Sequence, residues 1–344
     1  MSDPMSDRTV ARGKRRVLFV HPTSSTFIRS DIEILKKHFD LRVVDLGSRR
    51  RTVRDMVGAL WAMLKGVVWA DIAYCWFAEG HAKWMVRLAR IFGKPSVVVV
   101  GGYEVAKVPE VGHGSLLDPA KAKMVRRILE RTTVVLAVSE FTRKEILACS
   151  SPKRVEIVHN CVDTRSFTPS TQKENLVLTV GTVGSRQMRL KGIDTFVETA
   201  RLSPSVRFEV VGEVTDESGE KARKEAPENL VFAGRLPSEE LRGLYGKAKV
   251  YCQLSMYESF GIAVAEAMSC ECVPVVTKAG ALPEVVGDTG ITVPIGDAQA
   301  AARAVREALT RPDGKKARER VKGMFDIEIR ERELVRIIEG LVRR

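Results

Sequence analysis

The stretch ESFGIAVAE, residues 258–266, sets Glu258 and Glu266 at opposite ends of a segment that otherwise reads as apolar helix. The run KVYCQLS before it is β-rich and ends near Ser255. MYES then reads as a loop, and a helix is expected from about Phe260–Gly261. Glu258 would stand just ahead of the helix start, and Glu266 about two turns inside, roughly 9 Å along the axis from Phe260. The amides of Ser259, Phe260, Gly261 and Ile262 lie between the acids, unpaired and at the positive end of the helix dipole. That arrangement suits a phosphate with a hydroxyl acceptor on either side. Gly261 lets backbone approach a ligand closely. A sugar–diphosphate–nucleoside presents hydroxyls, phosphates and ribose hydroxyls in the matching order.

Such groups need a scaffold, and the chain offers a repeated one. Strand-like runs RRVLFVHP, LRVVDL, DIAYCW, PSVVVVGG, TTVVLAVS and RVEIVHN alternate with TFIRSDIEILKKHF, TVRDMVGALWAMLKGV, HAKWMVRLARIFG and DPAKAKMVRRILER, whose apolar residues recur at helical spacing. The second half repeats the rhythm with NLVLTVGTV, VRFEVVG, NLVFAG, KVYCQL, VPVVT and GITVP, and with helices expected near 192–202, 238–247, 260–270 and 298–310. Alternation of this kind predicts an α/β protein built from two doubly wound, Rossmann-like domains facing each other across a cleft. The divisions read as 1–165, 166–325 and a closing charged helix over 326–344, with VDTRSFTPSTQKEN as the linker. Ligands of such sheets lie beyond the carboxyl ends of the strands. The first strand is followed by VHPTSST and no G-x-G-x-x-G, which argues against a dehydrogenase.

The 344 residues carry a net charge of +13. Residues 1–165 hold 29 Lys+Arg against 17 Asp+Glu, and residues 166–344 hold 27 against 26. The first half therefore points towards something anionic: a phosphorylated substrate, a phospholipid surface or a nucleic acid. No nucleic-acid module is visible and aromatics are only 6% of residues, so nucleic acid is not expected as a partner. No apolar run approaches the roughly 18 residues that cross a bilayer. The six cysteines, Cys75, Cys149, Cys161, Cys252, Cys270 and Cys272, are scattered without metal or disulfide spacing. A cytoplasmic protein is the expectation, peripheral at most on the cytoplasmic face of a membrane.

ESFGIAVAEAMSCECVPVVTKAGALPEVVGDTGITVPIGD resembles the donor-binding segment of glycosyltransferase family 4, retaining enzymes of the GT-B fold. Further matches in order are IVHNCVDTRSFTP, VGTVGSRQMRLKGIDTFVETA and LPSEELRGLYGKAKVYCQLSMYES. The similarity covers most of residues 155–297 and thins before that. It implies that Glu258 holds hydroxyls of the transferred sugar, that Glu266 holds the ribose, and that amides of Ser259, Phe260, Gly261 and Ile262 meet sugar and phosphate oxygens. It implies too that Lys191 stabilises the departing diphosphate. The family usually carries an arginine directly after the glycine ending the preceding strand. Here Thr182 follows Gly181, which makes Arg186, then Arg189, the candidates to supply that charge. Gly184 would lie along the donor, and Arg235 and Leu236 against the base. The resemblance implies no metal and no cofactor beyond a UDP- or GDP-linked sugar as substrate.

On the acceptor side, VGGYEVAKVPEVGHG offers Gly101 and Gly102 for close approach and Glu104 as the nearest acid. Ser139 is expected to cap a helix, and Asn160 to form a turn. Arg49, Arg50, Arg51 and Arg54 adjoin Met56, Leu60, Trp61, Met63 and Leu64. Lys83, Arg87, Arg90 and Lys94 lie among Trp84, Met85, Leu88 and Phe92. These stripes pack on the sheet or face an anionic membrane, and the two can coexist, a buried stripe beside an exposed basic rim. The expected activity is retaining hexosyl transfer to a lipid-linked or envelope glycan. The alternatives are a soluble acceptor or a non-catalytic nucleotide-sugar-binding subunit.

Overall fold

The computed structural model of the protein describes residues 14–47 and 53–342. Arg49, Arg50 and Arg51 lie outside the described residues. The first sheet contains β1 (Arg16–His21), β2 (Asp40–Asp45), β3 (Ile72–Trp76), β4 (Ser96–Val100), β5 (Val134–Ala137) and β6 (Val155–Ile157). Its order is β2-β1-β3-β4-β5-β6, with parallel pairing throughout. Runs such as Val97 to Val100 are buried on both faces, as helix-covered parallel strands must be.

Helices α1 (Thr26–His38), α2 (Val53–Trp69), α3 (Gly80–Ile91), α4 (Pro119–Arg131) and α5 (Glu140–Cys149) cover this sheet. In α3, Ala82, Met85, Val86 and Ala89 recur every three or four residues and turn to the strands. The apolar stripes read from the sequence divide between core and surface. Met63 and Met85 enter the core, while Met56, Trp61, Trp84 and Phe92 remain exposed.

The second sheet contains β7 (Glu174–Val180), β8 (Arg207–Val211), β9 (Leu230–Gly234), β10 (Ala248–Gln253), β11 (Val273–Thr277) and β12 (Ile291–Val293). Its order is β12-β11-β10-β7-β8-β9, again parallel. Its helices are α6 (Ser185–Lys191), α7 (Ile193–Arg201), α8 (Glu217–Lys224), α9 (Ser238–Lys247), α10 (Ile262–Ser269), α11 (Leu282–Val286), α12 (Ala298–Thr310) and α13 (Gly314–Met324). The sequence reading missed α6, α8, α11 and α13. They are short or almost wholly polar and carry little helical apolar period.

Helix α14 (Ile327–Val342) returns to the first sheet and packs on α1 and β3. Arg330 and Asp31, both buried, form a two-point pair at 2.6 and 2.9 Å. Tyr74 Oη and Trp76 Nε1 donate to the same carboxylate at 2.6 and 2.8 Å. Arg330 also donates to the carbonyls of Val158 and His159 at 2.9 and 2.7 Å. A charge taken out of water is tolerated where every lone pair and N–H is matched in this way.

Candidate active site

In an open parallel sheet, the crevice forms where neighbouring strands lead to opposite sides. In the second sheet that point lies between β7 and β10, and each strand feeds one part of the site. The chain leaving β7 turns through Gly181–Gly184 into α6, whose last residue is Lys191. The chain leaving β10 runs through Ser255–Gly261 into α10. Lys191 Nζ and Glu258 Oε2 meet 2.8 Å apart. In the first sheet, the equivalent point between β1 and β3 delivers Phe27 and Trp76. A cavity of about 220 Å³ joins the two crevices, with Phe27, Trp76 and Gly101 on one side and Lys191, Glu258 and Gly261 on the other.

The loop that carries Glu258 is fixed from both domains. Gly280, at φ 57°, brings its Cα so near the Glu258 carbonyl that a Cβ would sit 2.0 Å from that oxygen. The Ala281 amide donates to the same carbonyl at 2.8 Å. Across the cleft, Ser139 Oγ caps α5 by accepting from the Thr142 amide at 3.0 Å and donates to the Ser259 carbonyl at 2.6 Å. Gly102, at φ 119°, abuts Ser259, where a Cβ would lie 2.3 Å from the serine Cβ. Only a residue without a side chain fits there.

Glu104 is fully buried beneath this contact. It accepts from the amides of Ala78 (3.1 Å), Gly101 (3.2 Å) and Gly102 (2.9 Å). Burial pushes its carboxyl up to about 7 against the pull of its own amide and those of Ala78 and Gly101. Tyr257 Oη donates to Glu145 Oε2 at 2.6 Å and lies 3.2 Å from the Gly102 carbonyl. Burial likewise raises Glu145 to about 7. Glu284 at α11 accepts from the Glu140 and Phe141 amides at the start of α5, at 2.9 and 3.2 Å, and meets His159 Nε2 at 2.9 Å. Burial pushes the Glu284 carboxyl up, but the hydrogen bonds outweigh it and hold the group below its ordinary range. These contacts clamp one domain to the other.

The remaining sequence candidates divide by position. Ser259, Phe260, Gly261 and Ile262 line the cavity, with Gly261 as the N-cap of α10 at φ 95°. Arg186 is exposed on α6 and donates from Nη2 to the Gly112 carbonyl at 2.7 Å, reaching the loop that holds His113. Burial, then the charges of Arg186 and Lys191, lower the pKa of His113. Helix α10 begins at Ile262, so Glu266 lies just past the first turn, not two turns in. It faces Tyr245 Oη at 3.2 Å, is raised to about 7 chiefly by burial, and does not line this cavity. Arg235 is exposed after β9 and Leu236 packs on the core, both away from the cavity. Gly184 caps α6 under Thr215 and Asp216, and Asp216 already takes the Ser185 amide at 2.8 Å.

Asn160, expected to form a turn, also lines the cavity, and its buried Oδ1 has no hydrogen-bond partner among the described residues. Tyr257, Glu145 and His159 were not foreseen. Tyr257 is Glu258's sequence neighbour, which is the one signal that could have found it.

Two family models match in tandem: Glycosyltransferase Family 4 over residues 6–166 and Glycosyl transferases group 1 over residues 163–323. The chain belongs to this glycosyltransferase family. Among relatives, a phosphatidylinositol N-acetylglucosaminyltransferase subunit from Arabidopsis thaliana is 30% identical over 169 residues, 46% of this chain and 37% of the relative. O-antigen chain mannosyltransferase B of Escherichia coli is 27% identical over 213 residues, 54% of each chain. The chain thus spans about half or less of these two relatives. Sucrose-phosphate synthase from Thermosynechococcus elongatus superposes with a TM-score of 0.76 at 16% identity, covering 95% of this chain and 99% of that one. Anabaena HepE, solved with UDP, gives 0.77 at 15%, covering 94% and 100%. The two six-stranded parallel sheets are those of the GT-B fold.

Proposed function

We propose that the protein transfers a hexosyl group from a UDP- or GDP-linked sugar to a hydroxyl of a lipid-linked or envelope glycan, with retention at the anomeric carbon and without a metal. The observation that carries this reading is the Lys191–Glu258 pair at the mouth of α10, above the cavity shared by the two crevices. In this reading the diphosphate lies along the Ser259–Ile262 amides, where helix N-terminal N–H groups favour an anion. Glu258 binds sugar hydroxyls and Lys191 neutralises charge on the leaving diphosphate, joined by Arg186 once it leaves the Gly112 carbonyl. The bond from the anomeric carbon to phosphate oxygen breaks as the acceptor oxygen bonds on the same face, and a phosphate oxygen takes the acceptor proton. Glu104 shapes the acceptor loop from below. Glu266 takes the ribose once its side chain turns from Tyr245, and the Arg235–Leu236 loop covers the base. Family membership and the glycan-directed names of the two relatives support the acceptor class. HepE's complex with UDP supports the donor class.

No helix among the described residues is long and apolar enough to cross a membrane. A cytoplasmic-face enzyme touching an anionic surface through its basic N-terminal half fits the charge division. The test is a thermal-shift screen against UDP-, GDP- and ADP-sugars, followed by transfer assays with and without EDTA and NMR of the product anomer. One donor class should raise the melting temperature, and turnover should survive EDTA. An inverted product, or a donor bound with no turnover on any glycan acceptor, overturns the reading.

A further inference from the structure

A groove of about 780 Å³ runs between α3 and α4 and shares no lining residue with the crevice cavity. Its rim consists of Lys83, Arg87 and Arg90 from α3 and Lys123, Arg127 and Arg131 from α4, with no acid among the lining residues. The α4 cations stand four apart, so they stack on one face and repel each other. None of the six forms a salt bridge with a described acid. Lys83 and Arg87 instead lie 5.8 and 5.6 Å from the centre of the exposed Trp84 ring. The floor is apolar, formed by Val86, Met124 and Ile128. Beside the rim, Trp84 and Ile91 are 41% and 66% exposed, and on the adjoining α2 Trp61 is 57% exposed.

A concentration of unpaired positive charge over an apolar floor, edged by exposed Trp and Ile, has the chemistry of a bilayer interface: phosphate at the rim, glycerol and acyl carbons below. A nucleic acid would match the charge and leave the floor and the aliphatic edge unused. We propose that the α3–α4 groove is a headgroup site for an anionic phospholipid, and that it seats the protein on a negatively charged bilayer with Trp84 and Ile91 entering the interface. This deepens the membrane partner of the proposed function but does not depend on donor chemistry, so binding and turnover can fail separately.

The test is co-sedimentation of the full chain with phosphatidylcholine vesicles, with and without phosphatidylglycerol, at low salt. Binding is expected only with phosphatidylglycerol. It should fall on the order of a thousandfold in Arg87→Glu/Arg127→Glu, where two charges reverse. Trp84→Ala/Ile91→Ser should also weaken it, and Lys221→Glu on α8 should not. Thermal melts of the variants check that they fold, and Lys191→Ala should lose turnover while keeping vesicle binding. Equal binding to both vesicle types, or undiminished binding by Arg87→Glu/Arg127→Glu, overturns the proposal. So does a groove that takes free glycerol phosphate, or duplex DNA, while the protein stays off the vesicles.

Discussion

Lys191 Nζ and Glu258 Oε2 lie 2.8 Å apart although they belong to two different connections, one from each strand that flanks the crevice of the second sheet. Each side chain presets the other: the amine keeps the carboxylate aimed at the crevice, and the carboxylate keeps the amine over the start of α10. Lys191→Ala should lower kcat by about a hundred- to a thousandfold, the usual effect of removing one stabilising group from a leaving-group site. Glu258→Gln should act comparably. The double variant should lose far less than the product of the two, and a double-mutant cycle on kcat measures that coupling.

Glu104 gives a pH signature. Its carboxyl stands at about 7 in the fold against 4.5 when free, mainly because it is buried. Between these values the folded state keeps a proton that the unfolded chain has released. Its contribution to stability is therefore complete below about 4.5 and is lost as pH rises through about 7. The difference in unfolding free energy between the protein and Glu104→Gln, followed by urea melts across that window, should shrink as pH rises. A difference independent of pH would show that the carboxyl stays ionised. Glu104→Gln also turns an amide towards the Gly102 N–H, at a cost of about 1–3 kcal/mol.

Gly280 should not tolerate a side chain. Alanine there would place a methyl 2.0 Å from the Glu258 carbonyl in a left-handed backbone. Gly280→Ala is expected to cost about 2–4 kcal/mol and to lower turnover by displacing Glu258. Gly296→Ala, at φ 77° with open space about it, is the control: backbone strain alone and unchanged turnover. Melting curves and initial rates on both variants settle the comparison.

The buried pair between Asp31 and Arg330 and the exposed one between Lys37 and Glu331 join the same two helices. Asp31→Asn should cost about 3–5 kcal/mol, because Arg330 is left charged and unmatched. Glu331→Gln should cost no more than about 1 kcal/mol, since its partners Lys37 and His38 remain in contact with water. Denaturant titrations of the two variants give the contrast directly.

All the strands were legible because β-branched runs such as Val97–Val100 can do little else when bounded by Gly and Pro. The Glu258–Gly261 turn was legible for a similar reason, since a strand, a loop and an apolar helix follow one another there. Pairs across the cleft left no trace. His159 and Glu284 stand 125 residues apart, Tyr257 and Glu145 stand 112 apart, and no periodicity links positions whose partners lie on another domain. The helix start was misplaced at Phe260 because that ring packs into the core wherever the helix begins, while the left-handed Gly261 sets the true first turn. The stripes of α2 and α3 divide between core and surface, as buried apolar positions beside an exposed basic rim allow, but the sequence alone could not say which side chain went where.

The Asp31 carboxylate is matched by a guanidinium encoded 299 residues later. On the ribosome, the first sheet is therefore complete in its strands long before it is complete in its charge balance. The domain that emerges first is the last to be sealed, and a chain released without α14 would offer chaperones and proteases an unsealed seam along α1 and β3.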